Sequence, residues 1–311
     1  MFDSGVFAAF GAVLTIIILI ATGFSLSKFG KITPEISGFI SWIVINVSLP
    51  CLMTVTILTS FDRSDLASIP RAVAAPALSI VLGYFAGFAV AKISKPASGR
   101  LGQTIVQTAQ NNTIFMGLPV NIAMLGEVSV PYVLYYYIAN TVFFWSLGVY
   151  LISEKKSKRG KNILSIFVTP PMFGIYIGAV CFVLGLNLPK FAMDSLRYLG
   201  NLTTPLSMIF IGHVLCRSGI KNLKIDKDVV VGLFSRFVIG PSIAICIYYF
   251  MGISGMMRDV FIVQSFMPVM ANATIVADRY GTDSRYAAVM VSLSTIVALA
   301  LLPLVRILFI G

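Results

Sequence analysis

The stretch QNNTIFMGLPV, residues 110–120, places three consecutive carboxamides, a threonine, a glycine and a proline inside an apolar segment long enough to cross a bilayer. Proline removes one amide donor from a helix and strands the carbonyl four residues earlier. In hydrocarbon such a group costs several kcal/mol unless it is satisfied or faces a cavity. A simple anchor helix has no use for this chemistry, so the interruption needs another purpose.

The rest of the chain explains why the question concerns a membrane at all. Of 311 residues, 58% are hydrophobic and 11% charged, with a mean hydropathy of +0.92. Soluble domains carry about a quarter charged residues. No polar stretch is long enough for a separate water-soluble domain. The net charge of +11 sits in short loops between apolar runs, a membrane pattern rather than a nucleic-acid groove. Cys51, Cys181, Cys216 and Cys246 fall within apolar runs without metal-ligand spacing and read as small apolar fillers.

Ten apolar runs approach the length needed to cross hydrocarbon: 6–28, 36–59, 70–93, 103–124, 130–152, 163–186, 195–216, 229–251, 257–279 and 284–308. The first follows MFDSG, which lacks Lys and Arg, so it does not read as a cleaved signal peptide. Taken alternately, the loops of one side hold 16 Lys and Arg and those of the other hold 6, with Arg236 alone inside a span. The positive-inside rule then predicts both termini outside and the basic loop EKKSKRGK in the cytoplasm of a bacterial inner membrane.

Sliding the chain against itself by 155 residues pairs Gly23 with Gly178, Gly30 with Gly185, Pro34 with Pro189, Asn46 with Asn201, Pro50 with Pro205, Met53 with Met208 and Gly126 with Gly281. With 14 prolines, chance predicts about 0.3 proline–proline pairs over the overlap; two occur, in order. The expected organisation is a first five-helix repeat at 1–153, a basic linker at 154–162 and a second repeat at 163–311. An odd number of helices makes the second copy enter from the opposite face. Inverted repeats accompany alternating-access carriers whose site lies where broken helices meet at the midplane.

Under the same shift QNNTIFMGLPVN falls on SFMPVMANATIV, residues 265–276. Both are polar interruptions of an apolar span, so the fourth and ninth helices are expected to unwind and cross. Their half-helix amino ends would aim positive dipole at a common pocket suited to a carboxylate. Asn46, Asn201 and Gln264 each stand four residues before a proline, where a carboxamide can serve the stranded carbonyl. Candidate substrate-binding positions are therefore Asn111, Asn112, Thr113, Met116 and Pro119 in the fourth span and Asn46 and Pro50 in the second. Thr203 and Pro205 join them from the seventh, and Pro268, Asn272 and Thr274 from the ninth. For the second and seventh spans, a plain proline kink competes with this reading.

All 12 Asp and Glu lie in loops or at span ends, so a carboxylate relay lacks a central residue. No cofactor is expected. A coupled Na+ or H+ would have to use carbonyls and neutral groups such as Asn46, Thr203, Thr204 and Asn272. Arg236 reads either as snorkelling to the interface or as guiding an anion; His213 reads as a satisfied interfacial histidine or as a coupling group.

Taken together these residues resemble the auxin efflux carrier family, which includes the plant PIN carriers and many bacterial transporters. QNNTIFMGLPV is similar to its fourth helix, RFVIGP (236–241) to its eighth, VQSFMPVMANATIVADRYG (263–281) to its ninth and INVSLPCLM (45–53) to its broken second helix. The resemblance implies an all-α membrane protein of ten helices in two inverted repeats, with a scaffold set, a transporting set and crossing helices 4 and 9. This architecture is shared with bile acid–sodium symporters and sodium–proton antiporters. It also implies a small organic anion as substrate, Asn112 as a contact to it, and Pro119 and Pro268 at the crossing. The chain lacks the long loop of the plant carriers, and its third span lacks their mid-span charged residues, which argues against auxin itself.

GYFAG (83–87) and GIYIG (174–178) read as close-packing motifs. GISG (252–255) imitates an intramembrane protease, yet the only histidine precedes it near the opposite face, beyond hydrogen-bonding reach. The expectation is a non-enzymatic secondary carrier exporting a small carboxylate. Coupled uptake and a membrane sensor that binds without moving its ligand stand as alternatives, and a homodimer is left open.

Overall fold

The computed structural model describes residues 4–60, 69–154, 170–186, 188–218 and 225–310. Most of the expected linker, and the start of the expected sixth span, lie outside them. The described residues are all-helical apart from one isolated β-bridge. α1 is Ser4–Lys28, α2 covers 34–60, α3 is Ile69–Ser94, α4a is Leu101–Ala109 and α4b is Thr113–Leu125. α5 covers 130–152, α6 is Pro170–Leu184, α7 covers 190–218 and α8 is Lys227–Phe250. α9a is Gly255–Ser265, α9b is Asn272–Tyr280 and α10 is Ser284–Phe309. Among the described residues, α2, α3, α7, α8 and α10 are long and apolar enough to cross a bilayer. The chain is thus a multi-pass membrane protein.

Side-chain caps begin several helices. Thr33 Oγ1 accepts from Ile36 N–H at the start of α2, with Pro34 at the first helical position, and Asp226 and Asp283 cap α8 and α10 in the same way. Three internal prolines share a mark, whereas Pro76 and Pro303 stand in regular helix and a further π-turn, Phe144–Gly148, precedes no proline. One π-turn, Val44–Ser48, precedes Pro50; a second, Thr113–Gly117, precedes Pro119; a third, Ser235–Ile239, precedes Pro241. Widening a turn by one residue relieves the clash of the proline ring with the preceding turn. This corrects the expected break in the second helix: α2 runs on through its π-turn. α7 is only interrupted at Leu202, between Lys190–Asn201 and Thr203–Ser218.

The helices sort into two bundles. α1, α2, α6 and α7 pack together, and α3, α4, α5, α8, α9 and α10 form the second group; α1 seats against α4b and α10, and α2 against α5, at the seam. Glycines set the closest approaches. A Cβ on Gly23 would lie 2.2 Å from the Ile209 carbonyl oxygen of α7, and one on Gly87 would lie 2.6 Å from that of Ile105 on α4a. On α6, Gly174 meets Pro50 and Gly178 meets Ile57, so both GxxxG motifs serve packing.

Two cations tie α3 to α8 end to end. Arg71, at the start of α3, donates to the carbonyls of Met251 and Gly252 beyond the end of α8. Lys227, at the start of α8, donates to Ser94 O at 3.0 Å, closing α3. Each places positive charge on a helix carboxyl end.

Candidate functional site

The quoted stretch is where the fourth helix stops. Gln110 is extended, with φ −106° and ψ 138°, and helical geometry resumes only at Thr113. α9 stops at Ser265 and resumes at Asn272. The two gaps touch: Asn111 and Val269 form an antiparallel bridge, and Asn112 N–H donates to Pro268 O at 2.9 Å.

Each backbone group freed by unwinding has to find a partner. Asn140 on α5 supplies two. Its Oδ1 accepts from Asn111 N–H at 3.3 Å, and its Nδ2 donates to Asn111 O at 3.0 Å. One carboxamide thereby acts as a neighbouring strand on the side away from α9. The Asn111 side chain donates at 2.7 Å both to Tyr136 Oη and to Gln264 O, the carbonyl that Pro268 would strand. Gln264 Nε2 reaches back to Thr113 O at 3.4 Å. A carboxamide does reach that carbonyl, then, but it comes from the partner helix, and Met267 N–H donates to it as well at 3.1 Å. In α2, Asn46 Nδ2 instead bonds Trp42 O of its own helix.

Arg236 is 1% exposed, which overturns snorkelling. The π-turn before Pro241 carries it, and Gly240 leaves room for α4a, since a Cβ there would lie 2.7 Å from Thr108 O. Its guanidinium donates to Gln107 O at 3.3 Å, to Gln110 O at 3.2 Å, more weakly to Thr108 O, and to Ser265 O. The side chain turns inward because the carboxyl ends of α4a and α9a, where those helices stop, offer it carbonyls.

Beside the crossing lies a cavity of about 250 Å³, large enough for a small ligand. Residues from the amino ends of α4b and α9b, among them Asn112, Thr113, Ala271 and Asn272, line one side of it. Ile45, Leu49, Phe115, Tyr137, Trp145 and Met270 give an apolar and aromatic wall. Asn112 and Thr141 are each 3% exposed, and neither Asn112 Nδ2 nor Thr141 Oγ1 has a hydrogen-bond partner. A donor buried without a partner is costly, so Asn112 and Thr141 are the polar lining residues with hydrogen-bonding capacity to spare.

Of the candidate residues, Asn112, Thr113 and Asn272 line this cavity. Asn111, Pro119 and Pro268 are buried around the crossing, and Met116 is in the core. Pro50, Pro205 and Thr274 are partly buried and do not line it. Thr203 is buried with Oγ1 unpartnered. His213 is 6% exposed and its Nδ1 has no partner, unlike the satisfied interfacial residue expected. Asn201 and Thr204 line a second cavity of about 430 Å³ with Thr56, Glu127 and Arg197. Tyr136, Asn140 and Thr141 went unsingled in the sequence; in IANTVFF a polar pair within an apolar span was the available signal.

At the opposite end of α4a, Arg100 binds Asp226 at 2.6 Å, Asp283 at 2.7 Å and Asp228 at 3.2 Å, and lies 4.7 Å from the Tyr286 ring centroid. Burial works against the Arg100 charge, but bonds to Asp226 and Asp283 outweigh it and hold the guanidinium more firmly protonated than usual. Arg100 in turn lowers the Asp226 carboxyl below its ordinary range. This cluster joins the ends of α3, α4a, α8 and α10.

A helical membrane protein whose two interrupted helices meet beside a ligand-sized cavity has the form of a membrane transport protein. The model of the family described as membrane transport protein matches residues 8–165 and 159–306, and the chain belongs to that family, the auxin efflux carrier family. It is 29% identical over 296 residues to a protein of Methanothermobacter thermautotrophicus named as an uncharacterized transporter, covering 94% of this chain and 95% of that protein. It is 25% identical over 300 residues to another so named from Methanocaldococcus jannaschii, covering 94% and 96%.

Proposed function

We propose that the chain is a secondary carrier for a small organic anion, a monocarboxylate with an apolar body, moved outward by alternating access. The observation that carries this is the cavity at two half-helix amino ends, lined by Asn112 and Thr141, whose Nδ2 and Oγ1 have no partner, and by an aromatic wall. Helix dipoles and neutral donors suit one carboxylate. Among the described residues the lining holds no cation for a second.

Ten spans in two inverted repeats fit the packing. α1 against α7 and α6 against α2 are images of each other under the 155-residue shift. The paired glycines agree: Gly30 and Gly185 both follow the first helix of a repeat with φ +69° and +67°, and Gly126 and Gly281 both follow the fourth with φ +81° and +65°. The bundle of α1, α2, α6 and α7 is the natural scaffold, and the bundle holding the crossing is the part that moves. Both termini lie outside, following the loop charges.

In proteoliposomes the protein should catalyse flux of a labelled aromatic monocarboxylate. Asn112→Ala and Thr141→Val should each weaken apparent affinity about 10-fold or more, the loss of one hydrogen bond to a charged group. Unchanged affinity in both would remove this cavity as the site.

A further inference from the structure

We propose that the cavity lined by Arg197 and Glu127 is a second binding site for the transported anion, an outer station separate from the one at the crossing. The proposal rests on the carrier reading for which anion comes there; the charge pattern of the cavity stands without it. The two cavities occupy the two ends of one seam between the bundles. On α2, Ile45 and Leu49 line the first, and Leu52, Thr56 and Thr59 line the second. Steps of three and four residues put all five on one helical face. α4b and α5 repeat the pattern, with Phe115 and Tyr137 at the first cavity and Ile122 and Val130 at the second. Between the cavities these faces are packed, for Leu118 and Val133 are both fully buried. A ligand leaving the crossing along this seam enters the second cavity next. With both termini outside, that end of the seam is the outer one.

The second cavity carries the charges that the first lacks. Its volume is about 430 Å³, room for a small ligand and water. Arg197 on α7 brings a cation, and the carboxamide of Asn201 and the hydroxyls of Thr204 and Thr56 add neutral donors around the same space. Thr56 is 5% exposed, so the polar lining reaches into the buried part of the seam. Glu127, in the turn between α4b and α5, lines the cavity from the other bundle. Among the described residues neither charge forms an ion pair. An anion is thus attracted by a charge on one bundle and repelled by a charge on the other. A guanidinium matches a carboxylate well, but Glu127 keeps the station weak. A weak site can fill from the crossing and still empty into open water, which suits an export route.

Chemical modification of the protein in lipid nanodiscs tests this without any flux. Val55→Cys puts a thiol in the α2 wall of the second cavity, and its reaction is read at position 55 by peptide mass spectrometry. Two methanethiosulfonates of similar size serve as probes, one ending in sulfonate and one in trimethylammonium. Arg197→Gln should lower the ratio of the anionic probe's rate to the cationic probe's by about 3- to 5-fold, the size of one charge at close range in water. Glu127→Gln should raise the ratio by a similar factor, and both shifts should shrink in molar salt. Residues that only shaped the cavity would not move the ratio in opposite directions. Millimolar phenylacetate should slow modification saturably. Arg197→Gln should abolish that protection, and Asn112→Ala should keep it because the two sites are separate. A ratio unmoved by Arg197→Gln would overturn the proposal, as would absent protection by phenylacetate or its loss in Asn112→Ala. Should Val55→Cys fail to fold, Leu196→Cys on the α7 wall takes the same measurements. Failure of the carrier reading is a different result: no carboxylate flux, with the rate ratios and the protection as expected.

Discussion

Replacing Asn140 by alanine should damage the crossing more than any cavity substitution. Asn140 is fully buried and Asn111 is 1% exposed. The one carboxamide holds both backbone groups of Asn111, at 3.3 Å and 3.0 Å. Its loss leaves the buried Asn111 N–H unpaired, at about 1–3 kcal/mol, and takes one of two donors from the Asn111 carbonyl, which keeps Thr113 N–H at 2.9 Å. Polar contacts within membrane proteins tend to the low end of such ranges, so the total is about 1–3 kcal/mol. For a protein of this size that corresponds to roughly 2–10 °C in melting temperature. Fluorescence-detected unfolding in detergent, comparing Asn140→Ala with Ser146→Ala as a control on the same helix, measures it. Ser146 Oγ bonds only carbonyls of its own helix, so its variant should move little. A shift for Asn140→Ala no larger than the control's would refute the view that Asn140 stands in for a neighbouring strand.

The Arg100 cluster predicts a pH dependence. Bonding to Arg100 lowers the Asp226 carboxyl in the folded state, so its stabilisation is present above the unfolded value near about 4 and is lost as pH falls through the folded one. The melting temperature of the unsubstituted protein should therefore fall more steeply below about pH 4 than that of Asp226→Asn. The effect should be small, because the Asp226 side chain is 44% exposed; parallel profiles would contradict it. Glycine substitutions should separate by place. Gly102→Ala puts a Cβ 1.9 Å from Leu151 O on α5 and should abolish monodisperse folded protein in size-exclusion chromatography. Gly38→Ala, in α2 with nothing within 4 Å, should raise stability by about 0.5–1 kcal/mol, read as a small rise in melting temperature.

Much of this molecule was written locally. Apolar run length marked the helices because hydrocarbon thickness fixes how many residues a span needs. QNNTIFMGLPV and SFMPVMANATIV marked the interruptions because proline and clustered carboxamides oppose an unbroken helix wherever they stand. The glycines of GYFAG and GIYIG announced close packing because only a missing side chain permits it. The second helix was misjudged for a related reason: a proline signals a lost donor, but whether the chain breaks or widens into a π-turn depends on what surrounds it.

Sequence by itself thus determined where the chain leaves its helices and that it does so within a membrane. Only the tertiary structure decided what meets at those points. Asn111 serves a carbonyl 153 residues away, Asn140 one 29 away, and Arg236 turns from the interface toward carbonyls of two other helices. Local pattern can register that a hydrogen-bonding group has been set free. The partner that satisfies it is chosen by packing among distant segments, and no period or spacing records that choice.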